Sequence, residues 1–178
     1  TFEGVEGATP MVHGTGAGNP LADLLFAIAF TKLVVRLRAR FREAGLTARC
    51  STRGAADFCG FVDERVDGAD EVPLADTSYA DDLAVVVEGP AEGIVEKLRV
   101  AGQVLWEVYA TGGFRVNFGP CKTAAMVRWN GRGASTARSI LEGLFENQIQ
   151  LVRGTARETL HVVRAYKHMG SIVSDGGG

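Results

Sequence analysis

Long apolar runs are missing from this 178-residue chain: none reaches the ~18 residues a helix needs to cross a bilayer. The opening stretch, Thr1 to Pro10, also lacks the basic and apolar regions of a signal peptide. No membrane or secretory reading has support. Cysteine is scarce, and Cys50, Cys59 and Cys121 form an odd set without a Cys-x-x-Cys spacing, which argues against zinc ribbons and dithiol redox motifs. They read as thiols of a reducing compartment, and the chain as intracellular, with nucleus and cytoplasm both open. His13, His161 and His168 include no pair at i, i+4 and no adjacent glutamate, so a histidine-based metal site is not expected.

What is present fits a folded chain. Hydrophobic residues make up 46% and charged residues 22%, too apolar a mixture for disorder and the right size for one domain over 1–178. The 23 glycines are about twice the usual share and show no collagen-like period, so they point to turns and close backbone approaches. The net charge of -2 conceals segregation. Residues 31 to 53 carry seven basic side chains against Glu43 alone, and residues 57 to 96 carry twelve acidic groups against Arg65 alone. From residue 97 onward, eleven basic groups face five acidic ones. Carboxylates holding divalent cations between phosphate-binding flanks would look like this. On charge alone, solvated faces account for it as well.

Asn19 and Pro20 open the first helical pattern, a capping residue before the residue favoured at the first helical position. Leu21, Leu24, Leu25, Ile28, Leu33, Val34, Leu37 and Phe41 carry it toward Gly45, which predicts a helix over about 20–44. Residues 46 to 76 read as a long loop with a weak strand at Phe58 to Val62. Thr77 to Val87 places β-prone residues on both sides of Asp81-Asp82, which predicts a hairpin with the two aspartates near its turn. A second helix follows from near Pro90 to before Gly112, its stripe Ile94, Leu98, Ala101, Leu105 and Val108 spaced 4, 3, 4, 3. Phe114 to Asn117 and Thr123 to Trp129 read as short strands around Gly119-Pro120. Ser135 reads as the cap of a third helix to about Phe145, and Ile149 to Val152 and Thr159 to His168 as strands. The expected fold class is α+β, a small and mostly antiparallel sheet covered on one face by helices.

Adjacent aspartates at a hairpin turn offer acceptor-only oxygens on short side chains, the donor set a hard cation such as Mg²⁺ takes together with water and phosphate oxygens. Aspartate is also simply a good turn former. The flanks, an aromatic two positions earlier and Leu-Ala-Val-Val-Val just after, favour the functional reading. Gly14-Thr15-Gly16-Ala17-Gly18 runs into the first helix and could let backbone N–H groups approach an anion. A dinucleotide fingerprint, and with it an oxidoreductase, fits poorly: the spacing is wrong, Pro10 to His13 makes a poor buried strand, and no acid follows at the expected distance. No Gly-Lys-Ser/Thr marks a Walker loop.

The order of these segments says more than any one of them. Gly14 to Phe26, then Tyr79-Ala80-Asp81-Asp82, then Gly113-Phe114-Arg115-Val116-Asn117 with Lys122-Thr123, then Tyr166-Lys167-His168-Met169-Gly170-Ser171-Ile172, closely resembles palm motifs B, C, D and E of non-LTR retrotransposon reverse transcriptases. The resemblance implies a partial polymerase palm and RNA-templated DNA synthesis. It makes Asp81 and Asp82 catalytic metal ligands for two Mg²⁺, with Mn²⁺ as a possible substitute, and Lys122 a catalytic cation near the triphosphate. Gly14, Gly18, Pro20, Phe26, Tyr79 and Asn117 would touch template or nucleotide. Tyr166, Lys167 and Gly170 would grip the primer. The implied partners are an RNA template, a DNA primer, deoxynucleoside triphosphates and the rest of a parent polyprotein, with no membrane. Family members usually have Gln where Ala17 stands and Ser-Pro where Ala22-Asp23 stand. The family's motif A aspartate lies upstream of motif B, and only thirteen residues precede Gly14, so the chain is expected to be a piece lacking motif A and the fingers and inactive alone. The alternative is a non-catalytic retroelement remnant that keeps some nucleic-acid binding.

Overall fold

Pro20, whose missing N–H costs nothing in the first turn, opens a 24-residue helix, α1 (Pro20–Glu43). The helix stops in a Schellman arrangement: Leu46 N–H donates to Phe41 C=O at 2.9 Å and Gly45 N–H to Arg42 C=O at 3.1 Å, with Gly45 at φ +64°. Leu46 and Phe41, both buried, provide the apolar contact that accompanies this motif. The computed structural model describes residues 20–51, 71–74, 76–79, 82–120, 122–168 and 171–175. The predicted weak strand at Phe58 to Val62 and the glycine segment Gly14 to Gly18 lie outside these residues.

After α1 come β1 (Ala48–Ser51), β2 (Glu71–Leu74), β3 (Asp76–Tyr79) and β4 (Asp82–Val85), then a 3₁₀ turn over Ala91–Gly93 leading into α2 (Ile94–Thr111). The remainder is β5 (Ala124–Met126), α3 (Ala134–Gly143), β6 (Gln148–Arg153), β7 (Ala156–Val163), β8 (Ala165–His168) and β9 (Ser171–Ser174). Helices α1 and α2 agree closely with the predicted ranges, but of the stripe predicted for α1 only Leu33, Val34, Leu37 and Phe41 are buried, while Leu21, Leu24, Leu25 and Ile28 are exposed. Helix α2 ends like α1, with Phe114 N–H donating to Tyr109 C=O at 2.9 Å and Gly113 at φ +79°. The Tyr109 and Phe114 rings meet edge to face across that end.

The strands pair as an α+β protein requires, but in four separate small sheets among the described residues rather than one. Ladders β1–β2, β3–β4, β6–β7 and β8–β9 are antiparallel, and β5 adds to β7 in parallel. Four expectations are corrected here. The region 46–76 is not all loop, because Ala48–Ser51 pairs with Glu71–Leu74. Phe114 to Asn117 forms no strand: Val116 and Phe118 are buried while Arg115 and Asn117 are exposed, so the alternation is that of an extended segment lying on the core without a ladder partner. The third helix is not capped by Ser135. It starts at Ala134 after Gly133 at φ +79°, with no side-chain cap, and it ends at Gly143. The strand expected over Thr159 to His168 is two strands with a break at Arg164.

Two apolar clusters hold these elements. The first joins α1 and α2 through Leu33, Leu37, Phe41, Leu46, Ala101, Val104 and Val108, and the β4 residues Leu83 and Val85 pack onto it with Val87. The second sets α2 and α3 against β6 and β7 through Trp106, Leu141, Ile149, Leu151 and Leu160. At the edge of β6, Val152 N–H donates to Gln103 of α2 at 3.2 Å, which satisfies one edge donor. Helix α1 is apolar on its far side as well: Leu21, Leu24, Leu25, Ile28 and Val35 are exposed. Two leucines of one helix should therefore behave differently. Leu24 is 57% exposed and Leu37 is 2% exposed. In urea unfolding, Leu24→Gln stays within ~0.5 kcal/mol of the parent chain, whereas Leu37→Ala loses about 2–5 kcal/mol.

Candidate active site

The segment around the aspartate pair folds as a hairpin because β-prone residues stand on both sides of a short polar connection. In the register Asp76 faces Val85, Thr77 faces Ala84, Ser78 faces Leu83 and Tyr79 faces Asp82. Two residues connect the strands; one is Asp81, which lies outside the described residues. Period-2 alternation sorts the hairpin into two faces. Leu83, Val85 and Val87 turn toward the helical cluster, while Asp82, Ala84 and Val86 are exposed. Asp82 thus stands exposed at the start of β4, on the face away from the helices.

The inner face carries one charged residue. Asp76 stands opposite Val85, its side chain is 2% exposed, and Arg38 of α1 grips both its oxygens: Nε donates to Oδ1 at 2.5 Å and Nη2 to Oδ2 at 3.0 Å. This fork holds the Arg38 guanidinium above its ordinary value, chiefly through the hydrogen bond to Asp76. Arg40 and Glu107 make a longer ion pair, this one between α1 and α2, at 3.9 Å.

Tyr109 of α2 lies close enough to feel Asp76. Burial, and after it the Asp76 charge, pushes the Tyr109 phenol above the ordinary tyrosine value of 10.0. The folded chain therefore holds that proton more tightly than the unfolded chain. Its contribution to stability is complete below the ordinary tyrosine range and is lost as pH rises through the raised value. Tyr109→Phe should flatten the alkaline fall in stability, read by urea unfolding between about pH 9 and about pH 11.

The other predicted site residues fall in three places. Pro20 and Phe26 belong to α1; the Phe26 ring stacks on Phe30 at 5.4 Å and meets Phe114 edge to face at 6.1 Å. Helix α1 is thereby joined to the segment that leads to Asn117 and Lys122. Asn117 braces its own turn, where its Oδ1 accepts from Gly119 N–H at 3.0 Å and its carbonyl accepts from Thr123 N–H at 2.9 Å. A Cβ on Gly119 would meet that same Oδ1 at 3.0 Å, so the turn favours glycine there. Lys122 stands exposed on this turn, and its ammonium makes no ion pair among the described residues. Tyr166, half-buried, and Lys167 belong to β8, opposite Val173 and Ile172 of β9. Gly14, Gly18 and Gly170 lie outside the described residues.

Two adjacent carboxylates suit a hard cation, and such an ion would need further oxygens from substrate or water. Among the described residues no group of three or more His, Cys, Asp or Glu side chains could hold a metal. Among them, too, no helix is long and apolar enough to cross a membrane. Sequence reasoning missed the Arg38–Asp76 pair. The strand register puts Asp76 on the inner face, opposite Val85. Comparison with protein-family models, with curated proteins and with solved structures finds no match to this chain.

Proposed function

We propose that this chain is part of the palm of a reverse transcriptase, taking part in RNA-templated DNA synthesis by nucleotidyl transfer. The observation that carries the reading is the tight β3–β4 hairpin, which brackets Asp81-Asp82, faces Tyr79 with Asp82, and rests its inner side on α1 and α2. Motif order supports it, as does the second hairpin, β8–β9, where the primer-gripping turn is expected.

In this reading Asp81 and Asp82 hold Mg²⁺, or Mn²⁺ in its place. When bound, the ions lower the barrier to attack by a primer hydroxyl and offset the charge that develops on pyrophosphate. The chain's own residues orient the reactants. Asp82 presents its carboxylate on the open face of the hairpin. Lys122, exposed on its Asn117-built turn, supplies a cation that can stabilise or protonate the leaving group. The template strand, the primer, deoxynucleoside triphosphates and the rest of the parent polypeptide complete the site. Ala17 and Ala22-Asp23, where relatives of this type carry Gln and Ser-Pro, favour a second reading: a non-catalytic remnant that still binds nucleic acid.

The test is RNA-templated primer extension with Mg²⁺, comparing the 178-residue chain with a form extended upstream through a motif A strand. Extension by the long form alone is expected. RNA binding without extension by either form selects the remnant, and loss of both binding and extension overturns both readings.

A further inference from the structure

The ion pair between α1 and β3 does something for the hairpin that apolar packing cannot. Leu83, Val85 and Val87 hold the hairpin against the helices, but apolar contact is non-directional. A two-stranded hairpin of four-residue strands is marginal by itself, and its tilt on a helix is poorly fixed by three side chains. The Arg38 fork engages both oxygens of a carboxylate whose side chain is 2% exposed, which adds two directional bonds between the helix and the strand. Asp76 is only three residues before Tyr79, the last residue ahead of the aspartate turn. A rotation about that anchor would swing the turn relative to α1.

We propose that Arg38 is a positioning residue, whose bidentate pairing with Asp76 sets the angle at which the β3–β4 hairpin presents Asp82. The value of that angle rests on the metal-binding reading above; the anchoring itself does not. Lysine can neutralise Asp76 but cannot engage two oxygens in a planar fork, so charge and geometry are separable at this position. Methionine removes both and leaves a carboxylate buried without a partner.

The experiment uses the 178-residue chain with Arg38→Lys and Arg38→Met, and two readouts. One is amide hydrogen exchange in residues 82–87 against that in α2. The other is line broadening at the hairpin by Mn²⁺ alone, with Asp82→Asn as the control for where the ion sits. In Arg38→Lys, the hairpin amides should exchange about tenfold faster while α2 keeps its protection. Mn²⁺ broadening at residues 82–85 should weaken severalfold. A simple loss of overall stability would move α2 as well and leave the balance between the two regions unchanged. Arg38→Met should show the larger local effect; should it fail to fold, Arg38→Lys alone decides. Parent-like exchange in the hairpin of Arg38→Lys overturns the inference. If the parent chain shows no broadening, or broadening that survives Asp82→Asn, it is the metal reading that fails, and hydrogen exchange still settles whether Arg38 anchors the hairpin.

Discussion

On the proposed polymerase reading, Asp81→Asn should abolish RNA-templated primer extension by the upstream-extended polypeptide, whereas Lys122→Ala should leave it slow but measurable. The difference follows from what each side chain would supply. A carboxylate that binds the ion delivers a full negative charge and a hard oxygen. Asparagine keeps the shape and one weaker oxygen but loses the charge that holds a divalent cation against water. Asp82 alone does not make up the loss, because it is already one of the two carboxylates the reading needs, while Leu83 and Val85 face the helices and Ala84 carries no donor. A general acid or nearby cation contributes typically ~10²- to 10⁴-fold, so Lys122→Ala should slow extension by about that factor. Single-turnover extension with Mg²⁺, accompanied by a thermal melt of each variant, separates the two. Equal rates for Asp81→Asn and the parent would remove the aspartate pair from the chemistry.

The helical part of the fold was legible because its signals are local. The stripe and the closing glycines of α1 and α2 sit within one or two turns of each other, and both helix ends use Gly45 or Gly113 in the left-handed conformation that the Schellman motif requires. The hairpin was legible for a similar reason, since β-prone residues flank a polar pair. Ladders between short, polar strands were not. Ala-Arg-Cys-Ser and Glu-Val-Pro-Leu carry no alternation that would announce β1 and β2, and their pairing bridges residues 48 and 74. Phe114 to Phe118 shows the opposite failure. Its alternation is real and reports burial on one side, but alternation says nothing about a neighbouring strand.

The site divides along the same line. Asp82 at the hairpin, Lys122 beside Gly119-Pro120 and Tyr166 at a strand near the end could each be placed from nearby residues. Asn117 could not be given its local role, because an Asx turn needs the fold to bring Gly119 N–H onto its side chain. The charge segregation also looks different in three dimensions. Part of the contrast between the basic stretch 31–53 and the acidic stretch 57–96 is internal pairing, since Arg38 meets Asp76. Arg38 thus ties α1 to the hairpin, while Arg40 pairs with Glu43 and Glu107.

Leu151→Ala should cost about 2–5 kcal/mol, and Gly102→Ala should recover part of that loss although it cannot help the parent chain to the same degree. Leu151 is fully buried at 0% exposure in β6, against the middle of α2. The helix comes this close because position 102 has no side chain: a Cβ built there would lie 3.1 and 3.2 Å from the two Leu151 methyls and 3.2 Å from a Leu160 methyl. Glycine inside a helix costs about 1 kcal/mol relative to alanine, so the close contact outweighs a propensity penalty that α2 carries permanently. In the parent chain a Gly102 methyl must push both leucines aside by a few tenths of an ångström within a close-packed cluster. After Leu151→Ala the space that opens is the space this methyl would fill, and the propensity gain arrives with only the Leu160 methyl at 3.2 Å left to give way. The two substitutions share one cavity and should be coupled by roughly 0.5–3 kcal/mol, with the double variant more stable than the sum of the single changes. Urea unfolding of the parent, both single variants and the double variant measures the coupling directly. Additive effects would mean that α2 does not owe its approach to β6 to the missing side chain at Gly102.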